Sequence, residues 1–305
     1  MRLIDSLLEE YRYKNGTKMN PRKIIFNDMD GLDVYNPTAP FTYNRETYIA
    51  ARVERRDNEE SESLFFKQNM DGTYSLDKDL PRFKLQDPFI TVISKYFIFG
   101  GTEIFPHSED SKRLQWRTTF YYGESIKDLK ELVAGPIGMK DIRLVELKDG
   151  RIGVFTRPQA EKGGRGKIGF AIIDKLTDLT VDIIDDAPVL EQFDSSEWGG
   201  CNEAILLSNG KIGVLGHIAK FSEGNIRHYY PMVFQLDPET LAHTSVKIIA
   251  ERRDFLSGPA KRDDLQDVLF SAGLIRNCEV ATLYTGVSDA EVQAMEIKDP
   301  FVEYE

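Results

Sequence analysis

Cysteine is nearly absent. The 305-residue chain has two, Cys201 and Cys278, far apart and in no C-x-x-C spacing, which speaks against a disulfide framework or a zinc site and fits a reducing compartment. Positive charge is in deficit: 39 Lys and Arg against 50 Asp and Glu leave a net charge of −11. No basic block offsets that balance, which argues against broad binding to a phosphate backbone and against nucleic acid as a partner. Long apolar runs are missing too. No stretch reaches the roughly 20 apolar residues of a membrane span, and Asp5, Glu9 and Glu10 occupy the first ten residues, where a signal peptide needs an apolar run. Helical periodicity is absent after residue 16, so a parallel sheet with crossover helices is not expected. These gaps leave a cytoplasmic globular protein, and 41% hydrophobic content with 11% aromatics suffices for a buried core.

What is present begins with an amphipathic stretch over residues 3–13, where Ile4, Leu7, Leu8 and Tyr11 recur at helical spacing. It reads as a short helix lying as a lid on the main body, with a subunit contact in a homo-oligomer as the other reading. Short extended runs follow, at 23–26, 48–53, 63–66, 89–99, 117–122, 142–147, 152–157, 167–173, 212–217, 232–236, 246–249, 268–275 and 280–284. Asp71-Gly72, Asp149-Gly150 and Asn209-Gly210 lie between such runs and mark tight hairpins. Many short strands joined by hairpins mean a sandwich, a barrel or a propeller. The length favours an all-β, single five-bladed β-propeller over residues 1–305, with 1–16 as a helical extension. No clean internal repeat fixes the blade count.

The chain is organised around Leu85-Gln86-Asp87-Pro88-Phe89-Ile90-Thr91-Val92-Ile93, a carboxylate set before a proline and then an apolar strand. Pro88 keeps Asp87 out of the helical region, so the sequence predicts an extended Asp87 at a strand mouth, its direction fixed before a ligand arrives. Alone, an Asp-Pro is an ordinary turn residue capping backbone amides. Gly163-Gly164-Arg165-Gly166-Lys167 lacks the spacing of a phosphate loop and reads as a hairpin tip. The mixed charges of Glu54-Arg55-Arg56-Asp57-Asn58-Glu59-Glu60 read as a solvated loop, whereas Arg52 closes the apolar run 48–51 and is delivered to a strand end.

Polar groups suited to an anion or a sugar recur at strand ends and turns: Asn36, Arg52, Asp87, Lys140-Asp141, Arg157, Asn202-Glu203, His217, Tyr229-Tyr230, Asp267 and Asp289. The inner strands of a propeller line one funnel, where residues so scattered converge. Their order carries a resemblance. Asn36-Pro37, Ala51-Arg52-Val53-Glu54, Asp71-Gly72, Gln86-Asp87-Pro88, Lys140-Asp141, Thr156-Arg157-Pro158, Gly216-His217, Gln235-Leu236-Asp237-Pro238, Asp267 to Gly273 and Tyr284 to Asp289 follow one another over nearly the whole chain after residue 30. In that order they resemble the five-bladed propeller phosphorylases of β-mannosides, and more closely the mannosyltransferase–phosphorylase family of β-1,2-mannan metabolism.

The resemblance implies an inverting enzyme in which Asp87 donates the proton and Arg52, Arg157 and His217, with Lys140, hold phosphate. Asn36, Asp141, Asn202, Glu203, Tyr230, Asp267 and Asp289 fall to the sugar. One acid with several cations is the inventory of a phosphorylase, since an inverting hydrolase needs a second carboxylate to activate water. The expected reaction is reversible transfer of mannose from a β-mannoside, most simply β-1,2-linked, to phosphate, giving mannose 1-phosphate. Inorganic phosphate is the co-substrate, and no metal or organic cofactor is implied. The sequence departs from the broader phosphorylase pattern at Gly199-Gly200-Cys201-Asn202-Glu203 and around Leu215-Gly216-His217-Ile218, which leaves open the acceptor subsite and whether Glu203 is a hydrolytic base. Transfer from a nucleotide-activated mannose, hydrolysis, and a sugar-binding propeller without chemistry are the alternatives.

Overall fold

The computed structural model describes residues 4–14, 18–58 and 60–305. An 11-residue helix, Ile4–Lys14, comes first, and its apolar stripe is spent on the chain's own body. Ile4, Leu7 and Leu8 are buried in one cluster with Phe193, Ile218, Met232 and Phe234. Arg12 clasps Glu251 through three hydrogen bonds of 2.7–3.2 Å, and the Tyr11 hydroxyl donates to Asp254 at 2.6 Å. Only short helices follow, such as Val181–Asp186, and the rest of the regular structure is β.

The strands fall into five antiparallel meanders of four. The first holds Asp33–Tyr35, Glu46–Glu54, Glu62–Gln68 and Tyr74–Leu76, with Phe41–Tyr43 added on Glu46–Glu54. The second holds Gln86–Ile93, Tyr96–Pro106, Leu114–Gly123 and Lys130–Ala134. The third holds Arg143–Glu146, Ile152–Thr156, Ile168–Ile173 and Val189–Leu190. The fourth holds Trp198–Leu206, Ile212–Phe221, Arg227–Leu236 and Lys247–Ile248. The fifth holds Asp267–Asn277, Val280–Val287 and Glu291–Lys298, and its outer strand is Lys18–Lys23 from the other end of the sequence. A short parallel pairing of His228 with Asp267 and Tyr229 with Val268 fuses the fourth and fifth into one sheet.

Each neighbouring pair of meanders encloses its own apolar cluster. Phe65 meets Phe99 between the first and second, Phe89 and Phe120 meet Ile142 and Val154 between the second and third, and Phe155 and Phe170 meet Val214 and Phe234 between the third and fourth. Leu215 and Val233 meet Leu269 and Leu283 between the fourth and fifth. Ile49 and Phe66 meet Tyr284 and Ala294 between the first and fifth. Burial of these faces, worth roughly 25 cal/mol per Å² of apolar surface, therefore acts between sheets, while hydrogen bonds hold each sheet together.

The Asp-Gly and Asn-Gly hairpins form as expected, with Gly72, Gly150 and Gly210 at φ of 85°, 88° and 82°, a region where glycine carries no Cβ penalty. The run 89–99 is not one strand. It turns back at Ser94-Lys95, so that Ile93 pairs with Tyr96. Ser94 has φ of 55°, and its N–H and hydroxyl both donate to Glu146 of the next meander, at 2.9 and 3.2 Å. A tertiary contact thus supplies what a turn signal in the sequence would have supplied. Seven strands lie wholly outside the expected runs: Asp33–Tyr35, Phe41–Tyr43, Tyr74–Leu76, Lys130–Ala134, Val189–Leu190, Trp198–Leu206 and Glu291–Lys298.

Candidate active site

Asp87 is not extended as the proline suggested. Its φ is 51°, and it sits in a bulge where Asp87 and Pro88 together face a single residue, because Gln86 pairs with Thr102 and Phe89 with Gly100. Pro88 disfavours the right-handed helical region for its predecessor, and the bulge places Asp87 in the left-handed one, a position aspartate tolerates better than most residues. Gly101 makes room: a Cβ there would lie 2.7 Å from the Gln86 carbonyl oxygen. Asn36, also before a proline, repeats the device with φ of 43°. Its Nδ2 donates to Asp87 Oδ1 at 2.8 Å, and its backbone and amide press on Gly286, where a Cβ would fall 1.9 Å from Asn36 Oδ1. Asp141 at 61° and Asp289 at 50° are two more acids in the same strained region. Such outliers persist where the surrounding structure over-determines them, often at functional sites.

The side chains divide into two halves. The carboxylate half contains Asp87, Asn36, Asp289, Arg52, Glu54 and Lys261. Arg52 is buried with its Nη1 3.4 Å from Asp87 Oδ1, its Nε and Nη2 donating to Glu54 Oε2 at 3.0 and 2.8 Å, and its guanidinium over the Tyr35 ring. Glu54 is the centre of this half. It accepts from Arg52, from the Tyr35 and Ser61 hydroxyls and from Lys261 Nζ. Burial alone would raise its pKa, but Arg52 and these donors hold it below the usual carboxylate range. The expectation that Glu54 opens a solvated loop is thereby corrected: the strand Glu46–Glu54 carries it inside, where its donors keep it charged. Asp289 titrates upward, because burial and the nearby charge of Asp87 outweigh Arg52, Lys140 and Lys261.

The cationic half gathers Lys140, Asp141, Arg157, Asn202, His217 and Tyr229. Arg157 is buried, with its Nε donating to the Gly199 carbonyl at 2.7 Å and its Nη1 3.2 Å from Asp141 Oδ2. Glycines frame it. A Cβ on Gly166 would lie 2.7 Å from Arg157 Nε, and one on Gly200 2.9 Å from its Cδ. The 163–167 segment is therefore a hairpin tip that also walls the site. Burial opposes the charge of Asp141, yet Arg157 and Lys140 win and hold its pKa at about 2. His217 shares a 2.8 Å hydrogen bond between its Nδ1 and Asn202 Oδ1 and stacks on Tyr229 at 5.3 Å. Burial, and then Arg157, push its pKa down to about 3, so its ring is neutral near pH 7. With Nδ1 donating to the amide oxygen, Nε2 is left as an acceptor. Asp141 Oδ1, Asn202 Nδ2 and Asn36 Oδ1 are buried without a hydrogen-bond partner in the structure, a costly state that a polar ligand would relieve, and Arg157 Nη1 has the ion pair with Asp141 but no hydrogen bond. Lys140 joins the halves, since its charge reaches both Asp141 and Asp289.

From this half a cavity of about 590 Å³ opens outward between the second, third and fourth meanders. Lys140, Arg157, Lys162, Arg165 and Arg227 line it with the aromatic rings of Trp116, Trp198, Phe221 and Tyr229, and Asp185 is its single acid. Arg165 lies over Phe221 at 4.7 Å, which fixes the guanidinium as part of the wall.

Three of the expected site residues lie elsewhere. Tyr230 and His228 both bond to Asp267 Oδ2, at 2.9 and 2.6 Å, and Arg12 of the first helix stands near Tyr230. In the strand alternation it is Tyr229, and not Tyr230, that reaches His217. Glu203 follows a bulge at Asn202 and lines a separate cavity with Thr38, Phe89, Arg143 and Ala272. It accepts from the Leu274 N–H at 2.8 Å, and burial raises its pKa to about 7. Between that cavity and the site stands Arg143, which the sequence reading passed over. Its Nε donates to the Asn202 carbonyl at 2.8 Å and its guanidinium covers Phe89 at 4.4 Å, so one side chain ties three meanders together. Two-residue alternation from Asp141 was the available signal for it; Lys261, in a loop, had none. Among the described residues no three His, Cys, Asp or Glu side chains cluster as a metal ion would require.

No curated protein sequence matches the chain. A mannose phosphorylase from Leishmania mexicana, solved in complex with a phosphate ion, superimposes with a TM-score of 0.88 at 32% identity, covering 96% of this chain and 93% of that one. A GDP-Man-dependent mannosyltransferase from the same organism gives 0.88 and 32%, covering 98% and 95%. The β-1,2-mannobiose phosphorylase of Listeria innocua shares the fold with a TM-score of 0.64 at 15% identity, covering 94% and 99%. Residues 10–303 match the family described as Protein of unknown function (DUF1861). The chain belongs to that family, and over nearly its whole length it is a relative of glycoside-processing enzymes.

Proposed function

We propose that the protein is an inverting phosphorylase of β-mannosides, most simply β-1,2-linked, built as a single five-bladed propeller whose blades are the five meanders. The five inter-sheet clusters, one of them between the first and fifth meanders, support the ring. Mannose occupies the carboxylate half, with Asn36 and Asp289 on its hydroxyls. Phosphate occupies the cationic half against Lys140, Arg157 and His217 and attacks the anomeric carbon. The glycosidic C–O bond breaks as the C–O bond to phosphate forms, and Asp87 delivers a proton to the leaving oxygen, directly or through a sugar hydroxyl. The product is α-mannose 1-phosphate.

The observation that carries this reading is the division of the site. Among the described residues, the half of the site away from Asp87 holds cations and no carboxylate free to activate water, because Asp141 is engaged by Arg157 and Glu203 faces another cavity. Hydrolysis needs such a base on that side. The neutral His217 ring suits a monohydrogen phosphate, whose O–H donates to Nε2 while Arg157 meets its oxygens. Incubation with β-1,2-mannobiose in the presence and absence of phosphate tests it: mannose 1-phosphate should form only with phosphate, and free mannose in equal amounts without it would exclude phosphorolysis.

One feature favours a second reading, transfer from a nucleotide-activated mannose. The basic, aromatic cavity opens from the phosphate side, where a group attached to the phosphate would extend, and it holds more cations than one phosphate needs. Release of the nucleoside diphosphate from GDP-mannose in the presence of a mannoside acceptor, faster than phosphorolysis, would decide for transfer.

A further inference from the structure

All five meanders contribute to the cavity beyond Arg143. It measures about 150 Å³ and draws Phe41 from the first, Ile90 and Thr91 from the second, Arg143 from the third, Glu203 from the fourth and Ile275 from the fifth. The bulge between Cys201 and Glu203 separates it from the active site. Asn202 turns to His217 on one side, and Glu203 turns to the cavity on the other.

The protein leaves the two charged residues of this cavity without counter-ions. Arg143 is buried, and its polar partners are carbonyls: Nε donates to Asn202 at 2.8 Å and Nη1 to Ile142 at 3.0 Å. The nearest acids, Asp141 and Asp87, are paired with Arg157 and Arg52 instead. Burial accordingly pulls the Arg143 pKa down in spite of their charges, the mark of a cation that lacks a close anion. Glu203 stands across the cavity from it. Its Oε2 accepts from the Leu274 N–H at 2.8 Å, and burial raises its pKa to about 7 with only that N–H opposing, so the charge of Arg143 does not reach it. The one other titratable group that responds to Glu203 is the Cys201 thiol, which burial keeps protonated. Below pH 7 the cavity therefore holds a permanent cation, a neutral carboxyl and, between them, the apolar walls of Phe41, Ile90 and Ile275.

We infer that this cavity is a second binding site, independent of the proposed reaction, for a short aliphatic monocarboxylate. A cavity of about that size accepts benzene, which sets the ligand at about six heavy atoms. Its carboxylate meets the outer N–H groups of the Arg143 guanidinium as a charge-assisted pair, and its alkyl chain packs on Phe41, Ile90 and Ile275. Protonated Glu203 removes a like charge that would repel the ligand, so binding takes up a proton. A zwitterionic amino acid would instead need Glu203 ionised, against its burial.

Calorimetric titration with butyrate, in excess phosphate so that the Arg157 side is occupied, tests the site. The wild type should bind one equivalent, about tenfold more tightly at pH 6 than at pH 8.5, the effect of a repulsion of about one pKa unit. Glu203→Gln, which has no charge to lose, should bind equally at both pH values. Thr91→Trp, which adds bulk at a half-exposed lining position, should bind at least tenfold more weakly, and so should the wild type with butyramide, which keeps the shape and lacks the charge. No butyrate binding, unchanged binding in Thr91→Trp, equal affinity for butyramide, or tighter binding of β-alanine than of butyrate would each overturn the assignment.

Discussion

Replacing Arg157 by Met removes a charge that does two things, and the structure allows them to be told apart. The guanidinium is 3% exposed and lies 3.2 Å from Asp141, whose carboxyl it holds at about 2. Stripping one partner from a buried pair leaves the other unpaired and costs about 3–5 kcal/mol of stability. Met fills most of the space against Gly166 and Gly200, so packing loss is small beside that electrostatic loss. The double variant Arg157→Met/Asp141→Asn removes the stranded charge and should recover most of the lost stability in thermal or urea unfolding. Phosphate binding should not recover. A desolvated charge-assisted contact is worth about 2 kcal/mol, which is roughly 30-fold in the Michaelis constant for phosphate, and it should be lost in both variants. A double variant that folds as well as the wild type and keeps its phosphate dependence would remove Arg157 from the anion site.

Asp87→Asn keeps the bond from Asn36 within reach but cannot pass a proton, so turnover should fall about 10²-fold or more while calorimetric binding of the mannoside survives; retained turnover would move the search to Asp289. Glu203 has a pKa raised from the ordinary range to about 7. Its contribution to stability is thus complete below the unfolded value near 4.5 and is lost as pH rises through 7. Thermal melts from pH 4 to 9 should show that loss in the wild type and not in Glu203→Gln, and parallel profiles would refute it. Gly101→Ala drives a Cβ to within 2.7 Å of the Gln86 carbonyl and should cost about 1–3 kcal/mol of stability together with activity, since the bulge that aims Asp87 must shift; a variant of normal activity would show the bulge to be dispensable.

Much of this was legible in the sequence because its signals are local. Hairpins at Gly72, Gly150 and Gly210 declare themselves through residues that need a positive φ. The Asp-Pro at 87–88 marked a carboxylate that the structure buries beside Asn36 and Arg52, and the ordered run of short motifs marked the relatives. The strand Trp198–Leu206 was not legible, since Gly199 and Gly200 weaken any strand propensity; their purpose is tertiary, as a Cβ on Gly199 would meet the His217 carbonyl at 2.4 Å. The turn at Ser94 depends on Glu146 in another sheet, and Glu54 depends on Lys261 far along the chain. Contacts of that range leave no trace in a window of neighbouring residues.

The strand Lys18–Lys23 completes the fifth meander by pairing with Glu291–Lys298, Lys18 beside Ile297 and Lys23 beside Gln293. On a ribosome this makes the early strand wait. It is made before the other described strands, yet its hydrogen-bonding partner is made after them, so the first and fifth meanders cannot be clasped until synthesis reaches residue 298. Contacts of such sequence separation slow folding and lengthen exposure to aggregation. Until they form, both the early strand and the Glu291–Lys298 edge present unpaired backbone to any other chain, which makes a nascent polypeptide of this protein a natural client for chaperones that shield extended segments.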